Sequence, residues 1–163
     1  MVSRVAAISA TAVVLGVGAG SASAATSTSD FDVTAAVTPA VKVTANALSF
    51  GNYDGTRLTA TTLINVTATI GTNYTVAISN GLSPTAGGRR MADTTGELNH
   101  LAYGLYVDSQ FTQIWGSGAG GTVVRNGQGT GVQQTLTVFG SIPGGQIVKP
   151  SSYKDTVTVT ATF

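Results

Sequence analysis

Apolar side chains recur at every second position through most of this chain, and that alternation limits the folds open to it more than any other feature. A period of two puts successive residues on opposite faces of an extended strand, so each run can press one face against a core and leave the other in water. Phe31, Val33, Ala35 and Val37 alternate with Asp32, Thr34 and Ala36 until Pro39, and Val41 and Val43 alternate with Lys42 and Thr44. Residues 63–70 and 74–78 flank Gly71-Thr72-Asn73, a natural hairpin connection. Residues 98–107 set Leu101, Tyr103, Leu105 and Val107 on one face, and residues 135–142 run up to a turn at Pro143-Gly144-Gly145. The last run places Tyr153, Asp155, Val157, Val159, Ala161 and Phe163 on one parity, against Lys154 and threonines on the other. No stretch carries helical spacing. Seven or more strands at this spacing predict an all-β sandwich.

Composition agrees with a strand-built core and removes several function classes. Only 9% of the 163 residues are charged, against ~25% in an ordinary soluble domain. With 42% hydrophobic residues and 21 glycines, a charge-driven disordered tail, a coiled coil and a collagen repeat are excluded. The net charge of +1, with no basic cluster beyond Arg89 and Arg90, leaves no electrostatic footprint for nucleic acid.

The first residues differ from the rest: Arg4, an apolar run over 5–17, then Ala22-Ser23-Ala24. This pattern is that of a secretory leader covering residues 1–24. A membrane anchor needs ~20 strongly apolar residues, whereas Ser9, Thr11 and several glycines interrupt this run, so no membrane-spanning segment is expected in the mature chain. Removal of the leader takes away Arg4, which balances the remaining charges. Export permits disulfides, yet the chain has no cysteine. Core burial and strand pairing alone must hold it together.

The motifs that suggest chemistry are weak in context. Gly116, Gly118 and Gly121 satisfy the dinucleotide spacing G-x-G-x-x-G, but no helix signal follows to receive a phosphate. His100, the one histidine, lies opposite the apolar parity of its strand and reads as a face residue rather than a catalytic base. Aspartates are scattered, not at calcium-loop spacing, and paired carboxylates and thiol ligands are lacking. Asn65-Val66-Thr67 and Asn73-Tyr74-Thr75 match the glycosylation pattern, the first inside a strand where a glycan would interrupt packing. Trp115, beside a glycine loop, is either a loop anchor or a platform for a sugar ring. No cofactor or metal is expected.

Both ends of the mature chain look built for pairing. The C-terminal run reaches Phe163 with no turn after it, and the expectation is an uncovered edge at Val157, Val159, Ala161 and Phe163 that invites pairing with another chain. The N-terminal run supplies a strand that could fill it, through Phe31, Val33, Ala35 and Val37. A strand at each end, paired within the same molecule, is equally compatible with the periodicity.

Beyond periodicity, several segments resemble the spore coat protein U family, which includes the major subunits of archaic chaperone–usher pili. They are residues 33–39 (VTAAVTP), 48–54 (LSFGNYD), Arg89-Arg90-Met91, 101–108 (LAYGLYVD), Ile114-Trp115-Gly116, 136–143 (LTVFGSIP) and 153–163 (YKDTVTVTATF). The likeness runs through essentially the whole mature chain in the family's order. It implies an incomplete immunoglobulin-like β-sandwich, at 40–163, completed by a donor strand at 25–39 from a neighbouring subunit. It further implies a non-catalytic homopolymer secreted through the periplasm to the cell surface as a pilus, in adhesion or biofilm formation, with a periplasmic chaperone and an outer-membrane usher as partners. Family members commonly carry a disulfide at positions corresponding to Val41 and Ala68; here both cysteines are missing together, and an apolar pair can pack instead. A spore or cell-surface coat protein is the alternative use. From another class, a secreted carbohydrate-binding module would need several aromatics on one outer face, and a hydrolase would need acids, bases or metal ligands that this sequence does not group.

Overall fold

The computed structural model describes residues 23–85, 88–95 and 99–163. Most of the expected leader, and Leu98 at the head of one expected strand, lie outside the described residues. The chain divides into two compact units, one up to Ala35 and the other Ala36–Phe163. In the first, residues 23–35 carry no strand and are exposed throughout.

Among the described residues, nine strands build the second unit: β1 Val41–Ala45, β2 Leu58–Ala68, β3 Asn73–Ile78, β4 Arg89–Asp93, β5 His100–Tyr106, β6 Arg125–Gln128, β7 Gln133–Ile142, β8 Tyr153–Lys154 and β9 Val159–Thr162. They form a six-stranded sheet in the order β1-β2-β7-β5-β4-β8 and a three-stranded sheet in the order β6-β3-β9, with every pairing between named strands antiparallel. No helix is present among the described residues.

Alternation sets the layers. Ile64, Val66 and Ala68 of β2, Val138 and Ile142 of β7, and Leu101, Tyr103 and Leu105 of β5 turn inward from the large sheet, where they meet Tyr74, Val76 and Ile78 of β3. β-branched side chains suit these pleated faces because χ1 is already restricted. Trp115 reaches the same core from a loop, fully buried, its indole Nε1 donating to the Val76 carbonyl at 2.9 Å. It is thus the loop anchor and not a sugar platform.

The β2–β3 turn depends on Gly71, whose φ of +80° is open to glycine at little cost. Across β1 and β2, Val41 stands directly opposite Ala68, and Lys42 opposite Thr67. The two positions to which the family resemblance assigns cysteines are therefore cross-strand neighbours, occupied by an apolar pair on the core side.

Several expectations differ in detail. The C-terminal run is not one strand: residues 155–158 leave the ladder between β8 and β9. β4 and β6 lie outside the expected strands, and Val123 makes only an isolated bridge, with Trp115. Around Gly116, Gly118 and Gly121 the chain makes a hairpin-like loop closed by Thr122 N donating to the Ala119 carbonyl at 3.1 Å.

Candidate functional site

Where a complete sandwich would carry a further strand, this molecule has a cleft. Three edges surround it: β1 and β8 terminate the large sheet on either side, and β9 terminates the small one. One bank is the segment 46–53 that continues β1 without strand pairing. It is tied down by Asn46 N donating to the Leu63 carbonyl (3.0 Å) and by the Thr62 hydroxyl near the Asn46 and Ala47 carbonyls (3.1 and 3.0 Å). Leu48 and Phe50 lean inward over Gly140 of β7, where a Cβ would stand 2.6 Å from Leu48 and 2.8 Å from Phe50. Only glycine leaves room for that approach.

The opposite bank is residues 153–159. Tyr153 donates its phenol to the Lys149 carbonyl at 2.8 Å, and Thr158 exchanges bonds with Ser79, its N–H reaching Ser79 Oγ and its carbonyl accepting from Ser79 N, both at 2.9 Å. Between them Asp155 lies off the ladder, and its carboxylate gathers three donors: Leu82 N (2.8 Å) and Thr156 N (2.7 Å) donate to Oδ1, and the Tyr103 hydroxyl donates to Oδ2 (2.6 Å). Beside Tyr103, buried Arg89 donates to the carbonyls of Ser79 (2.8 Å), Ile78 (3.1 Å) and Trp115 (2.8 Å). Burial lowers the Arg89 pKa and raises that of Tyr103, the latter helped by its bond to Asp155. The polar atoms behind the cleft are thus satisfied, and what faces its inner part is mainly apolar.

The opening has two lobes. An inner lobe of about 520 Å³ lies over Ile64, Ile78, Leu105 and Val138, with Val157 and Val159 on its bank. An outer lobe of about 610 Å³ lies over Leu101, Ile142 and Val148, beside Tyr53. Leu48, Phe50, Met91 and Tyr153 border both, so the lobes form one continuous channel. Beyond the inner lobe β1 packs beside β9.

Of the expected acceptor residues, Val157 and Val159 line this cleft. Ala161 instead sits opposite Val76 in the β3–β9 ladder, and Phe163 is outside it and exposed. Tyr153, Asp155 and the entire 46–53 bank are additional. Of the expected donor residues, Phe31, Val33 and Val37 are 84, 83 and 84% exposed, and Ala35 is exposed as well. His100, half-buried at the start of β5, lies outside the cleft lining.

Residues 27–160 match the Spore Coat Protein U domain. The chain belongs to that family. Among its relatives is Protein U of Myxococcus xanthus, 33% identical over 130 residues, which cover 71% of each chain. Among solved structures, one chain of the CsuC–CsuE chaperone–tip adhesion subunit pre-assembly complex, from the archaic chaperone–usher Csu pili of Acinetobacter baumannii, superposes with a TM-score of 0.61 at 26% identity. That match covers 78% of this chain and 40% of the Csu chain, so this molecule spans less than half of its structural neighbour. The Spore Coat Protein U fold seen here is an all-β, incomplete immunoglobulin-like sandwich.

Proposed function

We propose that this chain is a secreted structural subunit that polymerises head to tail, each copy laying residues 31–37 into the cleft of the next. The observation that carries the reading is the open channel between unpaired edges, apolar in its inner lobe, in a chain whose own alternating segment keeps Phe31, Val33 and Val37 exposed. A β-strand added there would find backbone partners on both banks and pockets for alternate side chains. A head-to-tail contact of this kind does not close, so it propagates as a fibre.

With β1 packed beside β9 beyond the inner lobe, the donor leaves through the outer end to rejoin its own β1, which sets Val37 near Tyr153 and Phe31 toward Val159, antiparallel to the β8–β9 bank. In this reading residues 1–24 are a leader, 25–39 the donor segment and 40–163 the acceptor sandwich. A vacant apolar channel invites misassembly, which gives a periplasmic chaperone its task until an outer-membrane usher exchanges it for the donor. The likeness to a chain of a Csu pilus pre-assembly complex supports this route, and with it a surface pilus in adhesion or biofilm formation. The work is mechanical, with no catalytic step. The likeness to Protein U favours a coat as the second reading.

Electron microscopy of the secreted full-length chain tests the proposal. Thin unbranched filaments are expected; particles that stay monomeric at every concentration would overturn it.

A further inference from the structure

Three exposed aliphatic residues have no role in the strand exchange just described, and they lie at the two ends that the exchange would bring together. Ile70 and Val132 are 77 and 66% exposed, and Ile147 is fully exposed. Ile70 follows Thr69 at the β2–β3 turn and rests on Gly131, whose Cβ position would stand 2.9 Å from Ile70 Cγ1, with Val132 next in the chain. Ile147 lies at the opposite end. Its neighbour Val148 lines the outer lobe, while Gln146 is fixed by its N–H donating to the Tyr53 hydroxyl (2.9 Å) and by side-chain bonds to Ala102 N (2.7 Å) and Ala102 O (2.9 Å).

The length of the connection decides what these residues meet. Ala40 is anchored to the β2–β3 end of its own domain: its N–H donates to Thr69 Oγ1 at 3.1 Å, and its carbonyl accepts from Thr69 N at 3.0 Å. Between Ala40 and Val37 stand only Thr38 and Pro39. Fully extended, that connection reaches roughly 10 Å. Pro39 also stiffens it by holding its own φ and biasing Thr38 to extended backbone.

Resting on the donor-strand reading, we infer a second subunit–subunit contact, in which Ile70 and Val132 of one copy pack against the Ile147 rim of the cleft that holds its donor strand. With Val37 seated in the outer lobe, the neighbour's rim lies within one short tether of Thr69, adjacent to Ile70. The occupant is another copy of this chain, and the contact continues the strand-exchange interface. It removes from water the apolar side chains at the junction, and it restricts bending between successive domains.

The test uses the full chain. Hydroxyl-radical footprinting compares wild-type fibres with monomer: protection of Ile70, Val132 and Ile147 is expected. In parallel, the absence of native cysteine allows Ile70→Cys to be combined with Ile147→Cys, and Val132→Cys with Ile147→Cys, for treatment of assembled fibres with a short bismaleimide. Ladders of covalent oligomers on denaturing gels are expected from the double variants and not from the single ones. Wild-type fibres in which the three residues label as fast as in monomer would overturn the second contact and leave strand exchange standing. Failure of the wild-type chain to form fibres at all would overturn both.

Discussion

At the scale of single residues, the cleft is held by a small polar group behind an apolar surface. Arg89 spreads its charge over three peptide carbonyls, so a buried cation is accommodated on hydrogen-bond acceptors of the backbone. Tyr103 links this site to the Asp155 bank. Burial, then the bond to Asp155, raises the Tyr103 pKa above its ordinary 10.0. A group whose pKa is raised on folding contributes stability that is complete below the unfolded value and is lost as pH climbs beyond it. Thermal unfolding followed from pH 8 to 11 should therefore show stability falling above about pH 10, and Tyr103→Phe should flatten that alkaline limb. An unchanged slope in the variant would mean that Tyr103 does not titrate with unfolding.

At the scale of elements, register decides which side chains a strand presents, because a slip of one residue exchanges its two faces. Val33→Asp and Val37→Asp each place an unpaired carboxylate in the channel and forfeit roughly 1.5–3 kcal/mol of apolar burial. Thr34→Asp turns to the other face. Sedimentation of assembled material should show fibre loss of tenfold or more for the first two variants and near-normal yield for the third; equal yields would reject the assigned face. The same alternation explains what could be seen in the sequence. β2, β3, β5 and β7 bury one parity of runs that the sequence spacing marks as strands, and for β5 the inward residues Leu101, Tyr103 and Leu105 follow from that spacing alone. β4 was hidden because it inverts the usual chemistry, with Arg89 and Asp93 buried at its ends. β6 was hidden because Arg125-Asn126-Gly127-Gln128 has no apolar side chain and is held by pairing to β3. In the cleft, Val157 and Val159 were legible by parity, whereas the 46–53 bank has no ladder to impose a period. Ala161 shares their parity and the β9 strand of Val159, but it lies two residues further along β9, beyond the stretch that lines the cleft, and spacing does not encode where the cleft ends.

At the scale of the whole molecule, no covalent bond strengthens either the domain or the proposed junction, since the chain has no cysteine. Durability must come from slow release of a fully paired, desolvated strand. Fibres should stay assembled in thiol and in moderate denaturant at room temperature, then dissociate on heating as unfolding rates rise steeply; unheated gel electrophoresis with and without thiol reads this directly. The central claim is that the sandwich lacks a strand and that residues 30–38 supply it. Its most direct test is the melting temperature and solubility of a domain beginning after Pro39, measured alone and with a peptide of residues 30–38. The account predicts a poorly soluble domain that the peptide brings into solution and stabilises by several degrees or more, the gain disappearing when Val33 and Val37 of the peptide are replaced by Asp. A truncated domain that is monomeric, soluble and indifferent to the peptide would contradict it.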